Sequence, residues 1–444
     1  MTSKAAENTT PSLSEETIKL FDSWLAADGP VALRLRQKLL PVEADESGRG
    51  VIFPPTYADI GYNIDTLADG TRVATIDTVG SQANRLEPIF KSTGKDAEGN
   101  ELNALASLVP QVEIELHPPK DKKPELIKAI SAVPGQKKED LEKKSAEDLK
   151  RLWAELFSEK RSLLDLAHRS ADAVVRASPT LAPAIDEAFQ ALRTKGNAAP
   201  LAAIAPTSLV FGVWDSRGTG EKRPRLVRSI IRAWDVDVLH SAAQFNSVWK
   251  ALSEEQQQEL EKEAKAKKVK RSETAFADAP AVFRKMKLDI PKLRDGAPNP
   301  EARVLGGVLA KGAIERDVTI NLVALRGVRG KESTETTEVQ KYLLSLALLA
   351  ATADLELFLR EGCLLRYAND DKWQNVPRRG EPVEVSLPQQ GQLLAYAKKA
   401  AEPFKKKWPK KDEQDLPLEH EFNLAEAKKL LAKKDDDAPA DAQG

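Results

Sequence analysis

Cysteine, histidine and aromatic residues are all scarce in this sequence. Cys363 is the only cysteine among 444 residues, so no intrachain disulfide can form and a disulfide-stapled secreted scaffold is excluded. The four histidines are scattered without ligand spacing, so we expect no metal site and no cofactor. Aromatic residues make up 5% of the chain, and no aromatic RNP1 motif is present, so a broad base-stacking platform is not expected.

A net charge and a long apolar run are also missing. Because 67 basic residues face 68 acidic ones, any contact with nucleic acid must come from a local patch. The longest apolar run, Tyr342–Leu355, is too short to span a bilayer, and Met1–Glu16 lacks the apolar segment of a signal peptide. We therefore expect a cytoplasmic protein without a membrane partner.

Hydrophobic residues make up 41% of the chain, which is enough for a sizeable core. The pattern predicts strands at Arg72–Ile76, Gln111–Leu116, Ser208–Trp214, Val318–Leu325 and Pro382–Leu387. It predicts helices from Ser14 to about Ala26 and at Val31–Leu40, Ala146–Ala177, Ala184–Arg193, Pro224–Asp235, Ser253–Lys270, Thr337–Leu359 and Gln392–Phe404. The irregular alternation favours an α+β fold with insertions over a doubly wound sheet.

Composition shifts suggest how the chain is organised. We expect a helical leader at residues 1–30, whose first twelve residues are polar, and a discontinuous core at residues 31–405. The core is interrupted by insertions near residues 118–200 and 245–300, which include two highly charged stretches and a proline-rich connector at Ala279–Pro300. Residues 406–444 read as a basic and then acidic tail that is partly disordered.

The most basic constellation follows the apolar segment Ser208–Trp214. On a helical wheel of the predicted helix, Arg225, Arg228 and Arg232 fall within about 60° of one another. The preceding loop adds Arg217, Lys222 and Arg223, together with Gly218 and Gly220. Guanidinium groups beside a helix N-terminus and bare glycines favour phosphate, although the arginines could instead pair with carboxylates on a solvated face. No Walker A spacing is present, so a polyanion backbone is favoured over a mononucleotide.

A second constellation follows the predicted strand Arg72–Ile76. Four hydrogen-bonding side chains lie close together here, namely Ser81, Gln82, Asn84 and Arg85. They could clamp a ligand backbone or simply form a capped turn. A weaker basic candidate contains Arg326 and Arg329 beside two glycines, and Cys363 lies in an apolar stretch typical of a core position.

Two pairs of motifs resemble a known family. They read FGVWDSRG at Phe211–Gly218 with PRLVRSIIRAWDV at Pro224–Val236, and PPTY at Pro54–Tyr57 with DTVGSQANRLE at Asp77–Glu87. These segments resemble the Csb-one group of CRISPR-associated proteins, which are Cas-seven backbone subunits of type I-G (I-U) effector complexes in the RAMP superfamily. The resemblance covers roughly Leu33–Leu365 in order.

The resemblance implies a modified RRM (ferredoxin-like) palm with thumb and finger insertions. It implies that copies polymerise along a CRISPR RNA and present its spacer for pairing with target DNA, beside a large subunit and a Cas-five/Cas-six-type subunit. Such a protein needs only sugar–phosphate contacts and no catalytic residues, so we expect no enzyme activity. The main alternative is a RAMP-type ribonuclease that cuts RNA with a loop aspartate, for which Asp77 and Asp215 are the candidates.

Overall fold

The computed structural model describes residues 13–57, 60–117, 122–241, 252–268, 304–368, 371–411 and 416–436. Its strands are β1 (Ala32–Pro41), β2 (Val51–Ile52), β3 (Thr56–Tyr57), β4 (Gly61–Tyr62), β5 (Ile64–Thr66), β6 (Arg72–Asp77), β7 (Glu113–Glu115), β8 (Lys160–Ser162), β9 (Val213–Trp214), β10 (Lys222–Arg223), β11 (Val227–Trp234), β12 (Val236–Ser241), β13 (Val304–Ala310), β14 (Ile314–Asn321), β15 (Phe358–Arg360), β16 (Cys363–Tyr367), β17 (Lys372–Val376), β18 (Val383–Glu384) and β19 (Glu419–Glu421).

The α-helices are α1 (Glu15–Leu25), α2 (Val79–Leu86), α3 (Lys123–Ile130), α4 (Lys138–Glu142), α5 (Ala146–Phe157), α6 (Ala173–Arg176), α7 (Leu181–Lys195), α8 (Ala199–Ile204), α9 (Pro206–Phe211), α10 (Glu254–Ala266), α11 (Leu322–Arg326), α12 (Ser333–Thr352), α13 (Gln390–Lys405) and α14 (Leu424–Asp436). Within the described ranges, every helix is too short or too polar to cross a membrane.

An antiparallel sheet with the order β15-β16-β1-β14-β11-β6-β5 forms the centre of the fold. Its middle strands β16, β1, β14 and β11 stand in the order fourth, first, third and second along the chain. Helices connect the first of these strands to the second and the third to the fourth. This is the strand order of a ferredoxin-like sheet, and the predicted α+β class is confirmed.

The first core strand is a correction to the sequence-based prediction. Val31–Leu40 was expected to be a helix, but residues 32–41 form β1, in which Leu33, Leu35 and Leu39 are buried while Arg36 and Lys38 are exposed. The alternation of apolar and basic residues has a period of two, which is the period of a strand.

The segments around the basic motif are also corrected. Pro224–Asp235 was expected to be a helix, but it contains strand β11, which hydrogen bonds to β14 on one side and β6 on the other. Ser208–Trp214 was expected to be a strand, but it divides into the end of helix α9 and the short strand β9. Short buried apolar runs fit either structure, and the two neighbouring strands decide the conformation of β11.

A layer of helices covers one face of the sheet. The long buried helix predicted near Thr337–Leu359 is confirmed as α12, although it ends at Thr352. It packs against α8, α9 and α13 as well as β11 and β14. Helix α1 belongs to the same core, because Phe21 packs edge-on against Tyr396 with ring centroids 4.5 Å apart.

The insertions and the tail are partly structured. Helices α3, α4 and α5 share a small apolar core of their own, and the helix predicted at Ala146–Ala177 ends at Phe157 because the chain then forms β8 beside β7. The charged helix predicted at Ser253–Lys270 is confirmed as α10. Strand β19 pairs with β7, so part of the expected tail is folded. Residues 1–12, the connector Ala279–Pro300 and residues 437–444 lie outside the described residues.

Candidate nucleic-acid interface

The face of the sheet opposite the helices is lined with charged side chains. In β1, Arg34, Arg36 and Lys38 alternate with the buried leucines. Cross-strand register places residues of β11, β14 and β17 beside them on the same face. We call this surface the basic sheet face, and its basic residues are Arg34, Arg36, Lys38, Arg228, Arg232 and Lys372.

Two carboxylates neutralise only part of this charge. Asp317 accepts hydrogen bonds from Arg34 at 3.2 Å and from Arg36 at 3.3 Å, and Glu315 lies 3.9 Å from Arg36. Among the described residues, no carboxylate forms an ion pair with the remaining four cations, which are Lys38, Arg228, Arg232 and Lys372. The face is therefore net positive and offers uncompensated donors to an anion.

The predicted arginine stripe is present, but its geometry differs from the prediction. Arg228 and Arg232 share a face because they stand four residues apart in a strand rather than on a helix. Arg225 precedes the strand and is exposed. Because the segment begins as a strand, the helix N-terminus that was expected to bind phosphate does not exist here.

The loop before β11 is built around a buried aspartate. Asp215 is 1% exposed, forms an ion pair with Arg176, and accepts hydrogen bonds from the backbone N–H and the hydroxyl of Thr219 at 2.7 and 2.8 Å. The guanidinium of Arg193 donates to the carbonyl of Thr219. These contacts fix the loop against α6 and α7. We call residues 213–223 the tryptophan loop.

A glycine lets this loop pack closely against the chain that follows it. Gly212 has φ +81°, a backbone conformation that side chains rarely adopt. A Cβ atom at this position would lie 2.8 Å from Cγ of Arg225 and 3.0 Å from its backbone nitrogen. The glycine of the FG pair in the motif is therefore required by backbone geometry.

The outer surface of the tryptophan loop carries an aromatic ring and cations. Trp214 is 60% exposed, and Nζ of Lys222 lies 5.5 Å from its ring centroid. Arg217 is exposed, and no carboxylate of the described chain pairs with it. By contrast, Arg223 forms an ion pair of 2.9 Å with Glu221, so its charge is largely compensated.

The motif at residues 77–87 turns its polar side chains inward. Asp77 is 1% exposed and accepts hydrogen bonds from Ser81 and Gln82 at 2.7 Å each and from Arg85 at 3.1 Å. Thr78 caps helix α2, and its hydroxyl accepts a hydrogen bond from the backbone N–H of Ser81. We call residues 77–87 the Asp77 motif.

The expected clamp formed by this motif needs correction at Gln82. Its side chain is 0% exposed and has both ends occupied, because its oxygen accepts from the Ser229 hydroxyl at 2.7 Å. Asn84 is exposed and lies 3.5 Å from a guanidinium nitrogen of Arg169. Gln82 therefore belongs to the core, since a buried polar group that is fully paired has no surface to offer RNA.

A polar belt continues from Gln82 across the buried face of the sheet. Arg316, which is 0% exposed, donates from Nε to Ser229 at 3.2 Å and from Nη1 to Gln37 at 2.7 Å. The belt separates an apolar cluster containing Leu35 from another containing Leu39. It thereby fixes the register of β1, β11 and β14.

In the third candidate site, Arg326 and Arg329, one residue also has internal partners while the other is exposed. Arg326 donates to the carbonyl of Trp24 at 2.8 Å and to that of Pro30 at 3.0 Å, so it ties the chain after α1 to α11. Burial lowers its pKa. Arg329 is exposed, while its carbonyl accepts from the backbone N–H of Ala198 at 2.8 Å.

Several residues of this candidate interface were not predicted from the sequence. One is Trp214. The others join the basic sheet face only through strand pairing, and they are Arg34, Arg36, Lys38 and Lys372. Strict alternation in residues 32–39 was the available signal for the first three. Nothing local connects Lys372 to Arg36, which stand opposite each other in β17 and β1.

A comparison with models of protein families agrees with the motifs. The model of a family described as CRISPR-associated protein GSU0053 matches residues 33–238, a little under half of the chain, and this range contains both the Asp77 motif and the tryptophan loop. No curated protein matches the chain. One solved structure, described as "CRISPR RNA-guided surveillance complex, pre-nicking", is 10% identical over 90% of this chain and 99% of that chain, with a TM-score of 0.28. Residues 33–238 are therefore similar to a family of CRISPR-associated proteins.

Proposed function

We propose that this protein is a CRISPR RNA-binding backbone subunit of a type I effector complex. The observation that carries the proposal is the basic sheet face, where four cations without a carboxylate partner in the described chain lie on strands β1, β11 and β17 of one sheet. The match to a CRISPR-associated family supports the choice of a guide RNA among polyanions.

The chemistry of this face favours contacts with the RNA backbone. Guanidinium and ammonium groups bind phosphate oxygens, and such contacts carry no sequence information. The guide's own base pairing with target DNA would then provide specificity. Further copies of the chain would bind along the same RNA beside the other effector subunits, as in type I-G Cas-seven proteins.

The proposed role is not catalytic. A ribonuclease of the RAMP type would need an accessible aspartate, yet Asp77 and Asp215 are each 1% exposed and are paired with internal cations. Labelled RNA complementary to the guide, incubated with the assembled protein and magnesium, is expected to remain intact. Site-specific cleavage that is abolished in Asp77→Asn or Asp215→Asn protein would support the ribonuclease instead.

The basic sheet face is tested by removing two of its arginines. Arg228→Ala with Arg232→Ala should weaken binding of unrelated single-stranded RNAs equally and lower the salt-dependence slope by about 0.7 for each phosphate that is no longer neutralised. Binding is measured by fluorescence anisotropy at several salt concentrations, and absorbance at 260 and 280 nm reports copurified RNA.

A matched control removes the same charge from the helix layer. Lys398→Ala with Lys399→Ala takes two exposed cations from α13 and should leave both affinity and slope unchanged. Equal reductions of affinity in the two double variants would contradict a localised site. A reduction restricted to one RNA sequence would indicate base recognition.

A further inference from the structure

We infer that Trp214 stacks on a base of the bound RNA. The inference deepens the proposed function and rests on it, because it assigns a base contact to a protein otherwise expected to hold only the RNA backbone. It also adds a residue that none of the predicted sites contained.

The first argument is that the tryptophan ring is exposed although its support is rigid. Trp214 is 60% exposed, whereas the next residue, Asp215, is 1% exposed and bound to Arg176 and Thr219. The backbone N–H of Asp215 also donates to the carbonyl of Glu221 at 2.9 Å, which closes the loop. The loop therefore holds the ring where it is accessible to a ligand.

The second argument is the charge around the ring, which selects the ligand. Lys222 lies over the ring at 5.5 Å from its centroid, and Arg217 and Arg225 are exposed nearby in sequence. No carboxylate in the described part of the chain pairs with these three cations. An aromatic ring beside uncompensated cations fits single-stranded nucleic acid, where a base stacks and the adjacent phosphates meet the charges.

The third argument is continuity with the basic sheet face. Residues 224–226 join the tryptophan loop directly to β11, and Arg228 follows at its second position. The backbone N–H of Leu226 donates to Val210 at 2.8 Å, and its carbonyl accepts from Asn321 at 2.8 Å, so this junction is fixed. A strand of RNA that crosses the basic sheet face near Arg228 would therefore continue toward Trp214.

The test compares RNA that carries bases with a fully abasic ribose–phosphate strand of equal length, using the full-length protein. Trp214→Ala should weaken binding of base-bearing RNA by roughly tenfold, since stacking on an aromatic side chain contributes on that scale. Trp214→Phe should retain most of the affinity. The penalty should vanish on the abasic strand, and the salt slope should not change, because every phosphate keeps its cation.

Three outcomes would overturn the stacking inference. These are unchanged affinity of Trp214→Ala for base-bearing RNA, an equal reduction on the abasic strand, or an equal reduction in Trp214→Phe. The first would show that the ring makes no contact with the RNA. If the wild-type protein bound neither strand, the proposed function itself would fail, so the two failures are distinguishable.

Discussion

The Asp77 motif and the tryptophan loop are built alike but face opposite ways. Each centres on an aspartate that is 1% exposed and paired with arginine. In the Asp77 motif, the neighbouring polar side chains turn inward and continue as the polar belt through Gln82. In the tryptophan loop, Trp214 and Lys222 remain outside.

The difference shows that motif residues need not be contact residues. The Asp77 motif links β6, α2 and β11 through buried hydrogen bonds, so it contributes to stability rather than to contacts with RNA. The tryptophan loop uses its buried aspartate only to support an outer surface. Substitution of Asp77 should therefore lower mainly the free energy of unfolding, whereas substitution of Asp215 should also lower the affinity for RNA.

The largest expected effect on stability is that of Asp77→Ala. Removing this carboxylate leaves Arg85 and Arg360 without their shared partner and interrupts the polar belt. Because both arginines keep part of their surface in water, we expect the free energy of unfolding to fall by about 3 kcal/mol, the low end for a broken buried pair. Urea denaturation measures the decrease.

The control for this variant is Asn84→Ala, which changes an exposed residue of the same motif and should alter stability by less than about 0.5 kcal/mol. Folded Asp77→Ala protein should bind RNA nearly as wild type does. A reduced affinity with unchanged stability would return the Asp77 motif to the surface clamp expected from the sequence.

A smaller effect on stability is expected for Asp215→Ala. Arg176 keeps a second partner in the half-exposed Asp186, so we expect the free energy of unfolding to fall by about 1–3 kcal/mol, as for an unpaired buried group. RNA affinity should fall as far as in Trp214→Ala, since the loop no longer holds the ring in place. Combining Asp215→Ala with Trp214→Ala should then reduce affinity little further.

The double variant provides the decisive measurement for the tryptophan loop. If the reductions of RNA affinity in the two single variants add up in the double variant, Asp215 must support RNA contacts besides the one made by Trp214. If Asp215→Ala reduces stability but leaves RNA affinity unchanged, the tryptophan loop has a purely structural role. The tryptophan loop and the Asp77 motif would then not differ in function.

Prediction from sequence succeeded where local patterns are unambiguous. The helix expected from Ser14 to about Ala26 is α1, which Ser14 caps, and the helix expected at Ala184–Arg193 is part of α7, which Gly196 ends in the left-handed conformation with φ +65°. The buried position of Cys363 is confirmed, and burial raises the pKa of its thiol to about 11. The prediction failed for β1 and β11, where short apolar runs were assigned to helices.

The sequence by itself determined the α+β class, the buried helix α12 and the two motifs, because caps, glycine turns and hydrophobic periods act over a few residues. Only the tertiary structure decided which polar groups are surface groups. Gln82 and Arg326 are taken up by partners far along the chain, at Ser229 and Trp24, while strand pairing brings Lys372 beside Arg36. Such contacts depend on the register of distant strands, and burial decides whether a charged or amide side chain meets water or the core.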